Sequence, residues 1–129
     1  MKYKIAVFAG DGVGPELIDE GIKVIEKAAE LDKFEIEWVK YPHGAEHFSE
    51  TKESLSNKAL KEIKDSCKSV YCGTFDNSKN GNAAENNVSS AIKNYFDQFV
   101  SLRPIRLLPN VQSPLNGKTD KEIDFTVIR

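Results

Sequence analysis

The chain has 129 residues, 40% of them hydrophobic and 29% charged, with 18 basic against 20 acidic side chains and a formal net charge of -2. That balance suits one globular core and excludes disordered and collagen-like chains. The lysines are scattered among glutamates and the apolar runs are short, so neither nucleic acid nor a membrane is an expected partner, and the cytoplasm is the default location.

Tyr3 to Ala9 is an apolar, β-branched run closed by Gly10, Gly12 and Gly14, which reads as a buried strand entering a glycine turn. Pro15 suits the first turn of a helix, and Glu16 beside it favours the helix's positive end. From Leu17 to Ala29, apolar residues recur at three- and four-residue spacings with Lys and Glu opposite, the stripe of an amphipathic helix. Phe34, Ile36 and Trp38 alternate with Glu35 and Glu37, so 34–41 is a second strand with one wet face.

Ser56 to Ser66 opens on a capping serine and carries Ala59, Leu60 and Ile63 on one face. Val70-Tyr71-Cys72 then runs into Gly73 as a third strand. The order β-α-β-α-β within the first 73 residues predicts an α/β fold with a parallel sheet and helices on its faces. Residues 75–87 are turn formers and small polar residues, an exposed loop. A helix from Val88 to Phe99 follows, with Ile92, Tyr95, Phe96 and Phe99 on its buried side, and then strands at 102–108 and 125–128 around the turn Asn116-Gly117-Lys118.

Glycines at a strand-to-helix turn either make a tight turn or let a phosphate or ribose approach the backbone, and Gly10 to Gly14 is open to both readings. The stretch is not a dinucleotide fingerprint of the form G-x-G-x-x-G, because Pro15 stands at its third glycine. Arg103, Arg106 and Arg129 lie on or beside apolar strands, where a guanidinium needs a carboxylate from the protein or from a ligand. Lys93 by itself reads as a solvated helix residue. His43, Glu46 and His47 lack a metal-ligand cluster, and Cys67 and Cys72, at the two ends of the third strand, read as reduced, half-buried thiols.

Three segments carry a resemblance along the whole chain: KIAVFAGDGVGPELIDEGIKVI; YPHGAEHFSETKESLSNKALKEIKD; and SLRPIRLLPNVQSPLNGK followed by DFTVIR. In order and spacing they resemble the isocitrate/isopropylmalate dehydrogenases, above all 3-isopropylmalate dehydrogenase and its tartrate/malate-type relatives. The resemblance covers the N-terminal third of such an enzyme, with residues 1–100 in the large cofactor-binding domain and 101–129 opening the second, substrate and dimerisation domain. It implies a homo-oligomer that oxidises and decarboxylates a 2-hydroxy acid with NAD or NADP and Mg2+ or Mn2+.

By the same resemblance, Lys93, Arg103, Arg129, Ser89 and Asn87 face the substrate, and Gly73, Thr74 and Val13 face the cofactor. Lys93 stands at a family arginine and Ser89 at the leucine of the isopropylmalate enzymes, which implies a smaller or more polar malate side group. The catalytic lysine and tyrosine and the metal-binding aspartates fall outside these residues, so the fragment is not expected to be active alone. The competing expectation is a binding module that keeps the half-site without the chemistry.

Overall fold

The computed structural model describes residues 1–75 and 88–129, with the backbone alone at residues 45 and 46. It contains two compact units, Met1–Phe96 and Asp97–Arg129.

In the first unit, strand β1 (Lys2–Gly10) pairs in parallel with β2 (Glu35–Lys40) on one side and β3 (Ser69–Thr74) on the other, giving the order β2-β1-β3. The parallel α/β arrangement expected from the sequence is therefore present. Strand residues alternate between faces, so Ala6 and Phe8 point one way and Val7 the other. Ala6 and Phe8 are fully buried and pack with Leu60 and Ile63 of α3 (Asn57–Ser66) and Val88 and Ile92 of α4 (Val88–Tyr95). On the opposite face lies α1 (Gly14–Leu31), where Gly21 is so close to the Tyr71 hydroxyl that a Cβ would collide with it, and where Trp38 Nε1 donates to Glu26 Oε1 at 3.0 Å. Helices thus cover both faces of the sheet, as parallel sheets require.

Ser56 caps α3 as its sequence indicated, its Oγ accepting from the Ala59 amide at 3.2 Å. Helix α2 (Ala45–Thr51) was not anticipated. Three further expectations need correction. Helix α4 ends at Tyr95, not Phe99: Asp97 takes φ 51, a left-handed conformation that stops a helix, and Phe99 is 84% exposed. Cys67 caps the end of α3 and does not begin β3; it is partly buried, whereas Cys72 is exposed, and both are free thiols. Strand β4 ends at Arg106, short of Leu108.

The second unit is an antiparallel ribbon of β4 (Leu102–Arg106) and β5 (Asp124–Ile128), with Arg103 opposite Val127 and Arg106 opposite Asp124. The pairing extends one step beyond the strands, since Ser101 and Arg129 exchange backbone hydrogen bonds of 2.8 and 2.9 Å. Every residue of both strands is exposed, while Ile123 beside them is buried. Gly117 makes the connecting turn with φ +70.

Candidate functional site

The carboxyl ends of β1 and β3 lie side by side, and α1 and α4 cover opposite faces of the sheet. After β1 the chain enters α1 on the Val7 face; α4, which follows β3 in the chain, covers the Phe8 face. The ends of β1 and β3 thus lie where open α/β sheets usually bind their ligands.

The glycine turn is pinned to β3 by two polar contacts and closed on itself by a third. The Asp11 amide donates to the Thr74 carbonyl at 2.6 Å, the Thr74 hydroxyl donates to the Asp11 carbonyl at 3.0 Å, and the Gly14 amide donates to the same carbonyl at 2.9 Å. A Cβ at Gly10 would strike the Thr74 carbonyl, and one at Gly14 or Gly73 the Ala9 carbonyl, so these three glycines serve close backbone packing. Gly12 differs: it has φ +60, and a Cβ there would meet nothing. Val13 precedes α1 as its N-cap, is 54% exposed and supplies no side-chain cap, which leaves the leading amides of the helix to backbone, water or a ligand. Gly73 and Thr74 end β3 and Val13 closes the turn bonded to them, so the three lie at one end of the sheet.

Ser89 and Lys93 occupy α4 four residues apart, on one helical face. The surrounding protein pushes the Cys72 thiol up to about 11 and the Lys93 ammonium draws it back, which sets Lys93 near the end of β3 although Cys72 keeps exposed surface. Asn87 lies outside the described residues.

In the second unit, Arg129 lies opposite Ser101, and Arg103 is two residues on from Ser101, so both arginines project from one face of the ribbon. Arg106 projects from the other face and pairs with Asp124 at 3.6 Å. Among the described residues neither Arg103 nor Arg129 forms an ion pair. Of the three arginines, only Arg106 follows the internal salt-bridge reading.

A hollow of about 420 Å³ lies at the ends of β1 and β2, lined by Asp11, Tyr41, His43, His47 and Glu50 among others. An aromatic series leads to it from the core: Phe8 stacks on Tyr41 at 5.1 Å, and His43 and His47 have centroids 4.3 Å apart. His43 Nδ1 is buried without a hydrogen-bond partner, and burial, then the charge of His47, lowers the pKa of His43. Burial, followed by the nearby Glu62, pushes the Tyr41 hydroxyl up to about 12. No group of three or more His, Cys, Asp or Glu able to hold a metal ion occurs among the described residues. Sequence reading missed the junction role of Asp11, because its partner Thr74 is 63 positions away.

A sequence model of the family described as isocitrate/isopropylmalate dehydrogenase matches residues 4–129. The 3-isopropylmalate dehydrogenase of Mycolicibacterium vanbaalenii is 36% identical over 126 residues, which is 98% of this chain and 36% of that protein. The 3-isopropylmalate dehydrogenases of Thermobifida fusca (31% over 126 residues) and Clavibacter michiganensis subsp. michiganensis (34% over 130) align over 98% and 97% of this chain. The crystal structure of a beta-decarboxylating dehydrogenase from Thermococcus kodakarensis, in its apo form, matches with a TM-score of 0.65 at 21% identity, covering 98% of this chain and 41% of that one. This likeness shows a shared fold. The chain spans 36% of the length of these three curated relatives.

Proposed function

The chain belongs to the isocitrate/isopropylmalate dehydrogenase family, and from that premise we propose that it supplies the cofactor turn and part of the substrate site of an enzyme that oxidises and decarboxylates a 3-substituted malate. 3-Isopropylmalate dehydrogenase is the leading activity. The observation that carries the reading is the junction at the ends of β1 and β3, where the Asp11 backbone is bonded to Thr74 and the neighbouring Gly12 and Val13 are exposed.

This junction suits part of a nicotinamide dinucleotide. Gly12 is exposed at the turn, and in the first turn of α1 the Glu16 amide is left as a donor, the Gly14 amide being given to Asp11, the Leu17 amide to Val13 and Pro15 having none. Glu16 already places a negative charge in the first turn of α1, so this end fits a ribose or the cationic nicotinamide ring of the oxidised cofactor better than a pyrophosphate. When bound, NAD or NADP would accept the hydride and Mg2+ or Mn2+ would polarise the new ketone. The metal would draw its ligands from outside the described residues. Within this chain, Arg103 and Arg129 bind and orient carboxylates as bidentate donors, Lys93 adds a point charge, and Thr74 holds the turn in place.

Residues 1–100 would belong to the cofactor domain and residues 101–129 to the start of the second domain. A two-stranded ribbon with every residue exposed is marginal in water, and among the described residues β2 and β3 are the edges of their sheet, so cover from further chain or from a second copy completes the proposal.

Ser89 and Lys93 favour a second reading, in which the substrate is a tartrate- or malate-type acid with a small, polar group at C3. A substrate panel separates the two. At the length of its relatives, the protein is supplied with 3-isopropylmalate, isocitrate, homoisocitrate, tartrate or malate, NAD or NADP, and Mg2+ or Mn2+, and nicotinamide reduction is followed. Preference for 3-isopropylmalate supports the leading reading, preference for tartrate or malate the second, and no reduction with any of them refutes both.

A further inference from the structure

Asp11 stands where three elements meet. Its amide and carbonyl hold Thr74 at the end of β3, and its carbonyl also receives the Gly14 amide at the start of α1. Its carboxylate lies against Gly44, the N-cap of α2: a Cβ built there would be 2.6 Å from Asp11 Oδ1 and 3.3 Å from Cγ. Gly44 provides no side-chain cap of its own, so the first amides of α2 have to find acceptors elsewhere. A carboxylate at a helix's positive end is stabilising there.

We infer that Asp11 is a positioning residue, whose carboxylate docks α2 onto the glycine turn while its backbone fixes Thr74 at the cofactor junction. Three features support this together. Helix α2 has only seven residues, too few to persist in water without tertiary support. Gly44 is extended, with φ -165, a conformation open to any residue, so glycine is needed there to leave room for the carboxylate and not for backbone freedom. Finally, His43 and His47, on either side of that junction, are held with their rings 4.3 Å apart, an arrangement that lasts only while α2 stays docked. Sequence separates Asp11 from Gly44 by a whole helix and strand, and only the β1–β2 adjacency brings them together.

The part of this inference that concerns the cofactor rests on the dehydrogenase reading; the docking of α2 does not. A double-mutant cycle of Asp11→Ala, Gly44→Ala and both together tests it in the protein at the length of its relatives. Gly44→Ala displaces the carboxylate and should therefore reproduce Asp11→Ala, and the double variant should be no worse than either alone. In each variant, amide exchange across residues 45–51 should quicken about tenfold while that of α3 stays unchanged, and NADH affinity should fall about tenfold. Additive effects, or unchanged exchange in α2 of Asp11→Ala, overturn the inference. Should Asp11→Ala not fold, Gly44→Ala alone gives the readout, because it keeps Asp11 and displaces only its carboxylate. If the unaltered protein binds no NADH, the cofactor reading fails, and exchange in α2 alone decides the role of Asp11.

Discussion

Arg103 and Arg129 project from the same face of the β4–β5 ribbon, diagonal to one another across the Ser101–Arg129 backbone pair. Cβ atoms in such diagonal positions are roughly 7–8 Å apart, close enough for two guanidinium groups to grip one dicarboxylate. Arg103→Ala or Arg129→Ala should each raise the KM for a malate-type substrate by about ten- to a hundredfold, the loss of one charge-assisted contact. Arg106→Ala is the internal control. Arg106 faces the other way and its pair with Asp124 is exposed, so KM should change less than about twofold. Equal losses in all three variants would show that the ribbon's faces do not divide these roles.

Lys93 carries a charge where the family resemblance places a guanidinium. Lys93→Arg should preserve or improve affinity for at least one malate-type acid, and Lys93→Ala should weaken binding of all of them, as read from steady-state KM values. Unchanged kinetics in Lys93→Ala would reduce Lys93 to a solvated helix residue.

The glycines of the turn should separate into two classes under denaturant unfolding. Gly10→Ala and Gly73→Ala force a methyl into the Thr74 and Ala9 carbonyls, so the strand ends must part; a loss above about 3 kcal/mol is expected, as for other overpacked sites. Gly12→Ala meets no atom and bears only its positive φ, a cost of about 1–2 kcal/mol. Comparable losses at Gly12 and Gly73 would contradict the division.

Much of the first unit was legible because its signals are local. Strand β1, the proline in the first turn of α1, the Ser56 cap and the alternation of β2 each depend on neighbours in sequence. Helix α2 was not legible: residues 45–51 contain Phe48 as their one large apolar side chain, too little for an amphipathic stripe. The end of α4 was misplaced because the apolar spacing continues to Phe99 while the backbone reverses at Asp97. In the site, the glycine turn stood out by its own residues with two readings open, and Gly73 and Thr74 only through the family resemblance. The tie between Asp11 and Thr74 needed the strand order, which sends the chain from β1 to one neighbour and brings it back beside the other.

His43 gives the first unit an acid sensitivity. Its folded pKa is lowered from 6.5 by burial and by His47, while the unfolded chain keeps the ordinary value. The unfolded state therefore binds more protons just below pH 6.5, and stability present above that value declines as pH falls through it. Glu53 acts in the opposite direction and Asp11 and Glu50 line the same hollow, so the slope is that of the cluster. In urea unfolding between pH 7 and 5, the loss of stability should be smaller in His43→Gln. An identical pH dependence in that variant would remove His43 as its source.

The most direct measurement is the ratio of carbon dioxide released to nicotinamide reduced, in the protein at the length of its relatives, with its preferred 3-substituted malate and Mg2+ or Mn2+. Oxidative decarboxylation gives equal amounts of the two, with both lost together in Arg103→Ala at low substrate concentration. Nicotinamide reduction without carbon dioxide, or carbon dioxide without reduction, would contradict the assignment.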